Sequence, residues 1–357
     1  MNEKIISFPH IGDYSYFVKP FIKNITNLNV QVAPPITKKT VEIGSKYSPD
    51  YVCLPFKYNL GNYIEALEQG ANILVQAGGG CRYGYYAELQ EKILKDLGYN
   101  FKFINLIHNN HISIKKAYKF AKQVNKKLNI FSFTYYLINT VIILLIIDKY
   151  EKIIRENKGF EVVKNSFNNL HNKLLNELQE KISLFKIIKI NIKYKYLFKK
   201  IKINKPPNHL KIGLVGELFS LMEPFSSANI EEKLISHHIE VFRQTTLTYL
   251  LITKKFSLHH HIKKSKKYLR FHIGADGSES VYLSHTLKKK GYDGIVHIKS
   301  FGCTPEINAI PIMNKISEEL SIPIIHFSFD SEDSDVGVTT RIEAFYDMIK
   351  GRKEQDK

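Results

Sequence analysis

Short apolar runs alternate with amphipathic stretches along most of this chain, and the alternation predicts strands separated by helices. KIISF opens as a strand, Val30–Pro34 supplies a second, Ile73–Gln76 a third and NFKFINL a fourth. Between them Thr37–Lys46, NYIEALEQG and YAELQEKILKDLGY repeat at helical spacing, with Gly70 and Gly98 as stops. Tyr51-Val52 reads as a strand that enters a loop at Cys53. After Pro206-Pro207 the rhythm returns: HLKIGLVGEL as strand, NIEEKLISHHI as helix, DGIVHIKSFGC as strand into loop. PEINAIPIMNKISEEL then reads as helix, IPIIHFSFD as strand and RIEAFYDMIKG as a closing helix. Strands alternating with helices of this length imply βαβ units and parallel sheets.

Residues 109–205 break the rhythm. They lack turn punctuation and carry long helical runs, which predicts a helical section between two α/β parts. The expected organisation is an N-terminal lobe over residues 1–108, a basic helical section over 109–205 and a C-terminal lobe over 206–357. Within the middle section Ile130–Ile147, IFSFTYYLINTVIILLII, is long enough to raise a membrane span. Asn129, Ser132, Tyr136, Asn139 and Thr140 share one sector of its helical wheel, so it is read as a buried helix with one wet edge and no membrane is expected.

Charge adds one feature. The chain has 357 residues with 52 Lys and Arg against 34 Asp and Glu, a net charge of +18. Residues 111–205 hold 21 basic and 6 acidic residues, so +15 of the excess lies there. No aromatic-basic platform accompanies it, and the reading is a lysine-rich solvated face rather than a nucleic-acid surface. Three cysteines exclude a disulfide scaffold and point to a reducing cytoplasm. The N-terminus MNEKIISFPHIGDY shows no secretory signal.

The cysteines carry the candidate chemistry. Cys53, Cys81 and Cys303 each fall in a loop at the carboxyl end of a predicted strand, the edge where open parallel sheets bind ligands. Two readings stay open: three ordinary reduced thiols, or one shared site for an iron–sulfur cluster or a zinc ion. Gly78, Gly79 and Gly80 before Cys81, and Gly302 before Cys303, permit tight turns and close approach of bare amides to an anionic centre. Arg82 reads either as a surface charge or as a binder of negative groups, and Lys57 shares that ambiguity. Glu306, in the first turn of a predicted helix, reads as a dipole-favoured acid or as an acid/base beside Cys303. Asp276-Gly277 reads as a turn with Glu279 capping the next helix, and Glu217 sits at a strand end. His259, His260 and His261 lie among lysines and read as solvated.

Several of these stretches agree in order with one family. CLPFKYNLGNYIEAL, QAGGGCRYGYYAELQ, GADGSESVYLSHTL, YDGIVHIKSFGCTPE and the ending IPIIHFSFDSEDSDVGVTTRIEAFYDMI resemble the activase-related proteins of the 2-hydroxyacyl-CoA dehydratase superfamily. The likeness covers most of residues 1–108 and 206–351. It implies two Rossmann-like parallel-sheet lobes joined by the helical section, with a [4Fe–4S] cluster in the cleft between lobes on Cys53, Cys81 and Cys303. Three thiolates leave one iron open. Gly79, Gly80 and Gly302 would line that cluster, with Glu306 and Arg82 as catalytic groups. The implied chemistry is low-potential electron transfer or reductive dehydration of an acyl-CoA substrate, as an enzyme or as a non-catalytic partner of an ATP-dependent activase. The chain has no GxxxxGK[ST], so ATP hydrolysis is not expected of it. The ending departs from the family in its looser acidic stretch Ser328–Asp333.

Overall fold

A computed structural model of the chain describes residues 3–78, 81–109, 111–179, 183–331 and 335–355. It divides into two compact units, Met1–Leu144 with Leu178–Ile187 and Leu145–Glu177 with Ile188–Lys357. In the first, β1 (Ile5–Phe8), α1 (Ser15–Thr26), β2 (Asn29–Val32), α2 (Lys38–Tyr47), α3 (Leu54–Glu68), β3 (Ile73–Gln76), α4 (Tyr86–Asp96) and β4 (Lys102–Asn105) follow one another. A small antiparallel pair, β5 (Ile107–His108) and β6 (His111–Ile112), leads to α5 (Ile114–Val124). Helices α6 (Ile130–Asn157), α7 (Ser166–Leu178) and α8 (Leu184–Lys199) come next. The second α/β part runs through β7 (Leu210–Gly216), α9 (Leu218–Met222), α10 (Ile230–Ser236), β8 (Ile239–Arg243), α11 (Lys254–Lys264) and α12 (Gly277–Lys289). It closes with β9 (Gly294–Ser300), α13 (Thr304–Leu320), β10 (Ile324–Phe329) and α14 (Asp335–Gln355).

The protein is mixed α/β with two parallel four-stranded sheets, as the alternation predicts. The first has the order β2-β1-β3-β4 and the second β10-β9-β7-β8. Counted from its own first strand, each sheet has the same order, 2-1-3-4. No sequence repeat announces this. Helices on both faces bury the strands, which is why β3 and β9 are buried along their whole length.

In the first unit Phe56, Leu60, Tyr63, Leu74, Tyr83 and Tyr86 form one aromatic-rich core under α3 and α4. In the second, Val281, Leu287, Ile295, Ala309, Met313 and Ile316 lock α12 and α13 onto β9. Each such fully buried aliphatic side chain contributes roughly 1.5–3 kcal/mol relative to exposure.

Two expected features differ. Tyr51-Val52 is a turn rather than a strand, and α3 starts at Leu54 with Cys53 as its N-cap. Pro55 at the first helical positions favours this, since its fixed φ suits a helix start. The expected helix NIEEKLISHHI ends at Ser236, and Ile239–Arg243 forms the unanticipated β8. His238 takes a left-handed φ of 57° between them.

The helices of residues 109–205 are shared between the two units. Helix α6 is long and apolar enough to cross a membrane by length and composition, and 28% of its apolar window is buried. Its exposed positions include Ile130, Phe131, Tyr135, Ile138 and Leu145, while Asn139 is buried. The polar sector is therefore not its wet edge.

The end of β7 depends on glycine. Gly216 has a φ of 137°, and a Cβ there would stand 1.9 Å from the Ile298 carbonyl oxygen. At the neighbouring helix start, a Cβ on Gly277 would stand 2.4 Å from the Pro305 carbonyl oxygen. Gly216→Ala is expected to lower the unfolding free energy by about 2–4 kcal/mol, read as a drop in the urea midpoint. A loss below about 0.5 kcal/mol would contradict this close approach.

Candidate functional site

The carboxyl edge of β7 and β9 is built for chemistry. These strands are neighbours, but the chain leaves β7 toward β8 on one side and leaves β9 toward β10 on the other. Such a switch in strand order opens a crevice at the strand ends. Helices that return from that edge start there, so α9, α12 and α13 bring their N-termini with them. The Leu218 N–H at the start of α9 donates to Asp276 Oδ2, the residue that precedes α12, at 3.1 Å.

Four carboxyls are buried on this edge: Glu217, Asp276, Glu279 and Glu306. Glu217 caps α9, accepting from the N–H groups of Phe219 at 2.9 Å and Ser220 at 3.0 Å and from the Ser220 hydroxyl at 2.7 Å. Burial nevertheless pushes its carboxyl up to about 7. Asp276 makes no capping bond to α12. It is instead paired with the Lys254 ammonium. Glu279 does not cap α12 as expected. Its carboxyl accepts from Gln244 Nε2 at 3.1 Å, and burial pushes it up to about 7. Glu306 is fully buried in the first turn of α13, and burial with Asp276 nearby pushes it up to about 8. Burial opposes the charge on Lys254, but Asp276 and Glu279 outweigh that and hold its ammonium above the usual range.

The strand itself adds two polar groups. His297 and Lys299 lie on β9, both buried. His297 Nε2 is 2.8 Å from Glu306 Oε2, with both side chains at 0% exposure. Burial, with Lys299 nearby, holds the imidazole down to about 3. The pair is therefore a neutral imidazole against a neutral carboxyl at neutral pH. An ion pair with no water around it would pay a desolvation cost in both partners.

Cys303 is the N-cap of α13, half-buried, three residues before Glu306. Burial and the adjacent carboxyls of Glu217 and Glu306 push its thiol well above the usual range, while the Glu306 N–H favours the thiolate. Gly302 lies in the turn just before it. In the first unit Cys53 caps α3 and hydrogen-bonds the Tyr86 hydroxyl. Cys81 precedes the short turn Arg82–Tyr85, and its sulfur accepts from the Tyr83 N–H at 3.4 Å. Cys53 and Cys81 pack against the same aromatic core. Arg82 is exposed. Gly79 and Gly80 lie outside the described residues, as do Glu332 and Asp333 of the acidic stretch.

Among the described residues no disulfide joins the three cysteines. Their donor chemistry suits an iron–sulfur cluster: three sulfurs, each at a helical start where backbone N–H groups favour negative charge. Within each unit, among the described residues, no group of three His, Cys, Asp or Glu side chains is placed to hold a metal. Cys53 and Cys81 belong to the first unit and Cys303 to the second.

Sequence reading missed Lys254, His297, Lys299 and His326. The strand GIVHIKS did carry a signal, because a His and a Lys two apart inside a run buried on both faces must find partners. Nothing local marked Lys254, whose partner Asp276 is 22 residues away. His261 is also corrected. It is buried and stacked on Tyr282 at 4.2 Å, and burial holds it down to about 4, whereas His259 and His260 are exposed as expected. A cavity of about 430 Å³ in this unit is lined by Lys149, Lys152, Arg155, Arg243, Gln244 and Tyr249 among others. Gln244 links it to Glu279.

The shifted groups set a pH window. Glu306, Glu217 and Glu279 hold their protons more tightly in the folded chain. Each stabilises fully below the ordinary carboxylate range and loses this as pH rises through about 7 to 8. His297 and His261, kept neutral by burial, contribute above the ordinary imidazole range and lose it as pH falls toward about 3 to 4. Glu306→Gln is expected to flatten the alkaline decline, so that its urea midpoint falls less than the wild type's between about pH 6 and about pH 9. Equal declines would show that Glu306 is ionised in the native state.

No curated protein matches the chain. The family model described as 2-hydroxyglutaryl-CoA dehydratase, D-component, matches residues 276–349. That segment begins at Asp276 and carries Glu279, His297, Lys299, Cys303 and Glu306. Over this segment the chain is similar to the 2-hydroxyglutaryl-CoA dehydratase D-component family.

Proposed function

We propose that this chain is an iron–sulfur protein that binds one [4Fe–4S] cluster through Cys53, Cys81 and Cys303, with one iron left open. Its role is reductive dehydration of an acyl-CoA-type substrate. The observation that carries this reading is the first turn of α13, where Cys303 and the buried, proton-holding Glu306 stand three residues apart. An electron carrier has no need of a buried neutral carboxyl beside its thiolate, and this favours an enzyme over a non-catalytic partner. A bound cluster would supply a low-potential electron and an iron able to act as a Lewis acid.

The chain's own residues would do the rest. Glu306, neutral at pH 7, would hand its proton to a departing hydroxyl so that it leaves as water. Lys299, buried on β9, would offset negative charge nearby. The basic cavity at the end of β8 suits the phosphates of a coenzyme A thioester, and Arg82 stands as a separate candidate for binding negative groups. Gly79, Gly80 and Gly302 would let amides approach the cluster closely. The electron would come from a separate ATP-dependent activase, and three reduced thiols suit the cytoplasm.

Anaerobic purification is expected to give a brown protein with about four irons and four sulfides per chain. Cys81→Ser and Cys303→Ser should each lose most of that iron. A colourless protein with a single zinc, or an unchanged iron content in Cys81→Ser, would overturn the ligand assignment. Glu306→Gln should keep its iron while losing thioester turnover by about 100-fold or more. Full turnover in that variant would overturn the acid role of Glu306, and no turnover by the cluster-loaded wild type would return the chain to the role of electron carrier.

A further inference from the structure

The polar contacts of Glu306 continue beyond His297. Strands β9 and β10 are parallel neighbours, and their register sets His297 beside His326. The two rings stand edge-on at 86°, with Nδ1 of one 2.8 Å from Nδ1 of the other. His326 Nε2 is in turn 2.8 Å from Asn314 Oδ1, on α13. Asn314 is exposed and Glu306 has no exposure at all. Helix α13 thus supplies both ends of a line of four side chains, and two strands supply its middle.

The protons on this line are not independent. The amide oxygen of Asn314 can only accept, so His326 Nε2 carries a hydrogen. A neutral His326 then accepts at Nδ1, which requires a hydrogen on His297 Nδ1. A neutral His297 in turn accepts at Nε2, which requires the hydrogen of its bond to sit on Glu306. The line also has an opposite polarity. There the Asn314 amide is turned so that its Nδ2 donates to His326 Nε2, Glu306 is a carboxylate, His297 carries its hydrogen on Nε2 and His326 on Nδ1.

We propose that His297 and His326 form a proton conduit that recharges the buried Glu306 carboxyl from solvent at the Asn314 surface. A proton enters at His326 Nε2, the His326 Nδ1 proton passes to His297 Nδ1, and the His297 Nε2 proton passes to Glu306 Oε2. One proton is taken up and one is delivered, and both rings are neutral before and after. Such a conduit needs rings that resist charging. Burial holds His297 down to about 3 and His326 to about 4. The groups around the line act in the same direction at the rings: the Lys299 charge disfavours protonation of both imidazoles, and the Arg341 charge that of His326. Asp276, Glu279, Lys254, Lys299 and Cys303 surround the carboxyl end. The conduit shares Glu306 with the proposed dehydration, but its tests need neither iron nor substrate, so either reading can fail alone.

Nitrogen-15 NMR of the histidine-labelled protein near pH 6.5 is expected to find the Nδ1–H tautomer at His297 and the Nε2–H tautomer at His326. The opposite tautomer at either ring, or a charged ring, would overturn the proposal. Infrared spectroscopy in heavy water gives a second reading, on the carbonyl band of a protonated carboxyl that Glu306→Gln removes. Its deuterium shift should be complete on mixing in the wild type and slower by about 100-fold in His326→Phe. Equal rates in the two proteins would also overturn it. If His326→Phe does not fold, the wild-type tautomers decide.

Discussion

Burying carboxyl groups where they cannot all ionise is the constraint on which the second unit depends. Glu217, Asp276, Glu279 and Glu306 share one edge of one sheet, where the Lys254 ammonium pairs with Asp276. Burial raises each glutamate's affinity for protons, and the neighbouring Asp276 charge adds to it. Asp276 takes the ammonium, and the three glutamates settle near or above neutrality instead. Helix starts, the close contact at Gly216 and the packing of α12 on α13 all converge on this edge. Disturbing one carboxyl changes the proton balance of the rest.

The same strand order in both units gives each a crevice at the equivalent place. Cys81 follows the third strand of the first sheet and Cys303 the third strand of the second. The family-model match falls on the second unit, where the thiol, the buried acid and the polar strand coincide. Cys53 stands apart from this symmetry, since it follows α2 rather than a strand.

Much of this architecture was legible from hydrophobic spacing. Ile73–Gln76 matches its strand end to end, and IGLVG within β7 is a continuous apolar run that a parallel sheet must bury. Local signals failed where a long-range partner decides. VCLP reads as a strand from its apolar residues, but Pro55 and the packing of Phe56 under α4 make it a helix start. Of the site, Cys303 and Glu306 were legible because loop, proline and acid fall together at a helix start. His297, Lys299 and His326 were not singled out, because what a polar residue does inside a buried strand depends on the strand beside it. Lys254 and Asp276 meet through tertiary structure alone.

The central functional claim is a cluster with one iron that no protein sulfur holds. Mössbauer spectroscopy of the protein loaded with iron-57 tests it most directly. The account predicts one cluster per chain in which about a quarter of the iron has its own spectrum, one that shifts when an acyl-CoA thioester is added. Four iron sites alike, unmoved by any thioester, or the absence of cluster iron, would contradict it.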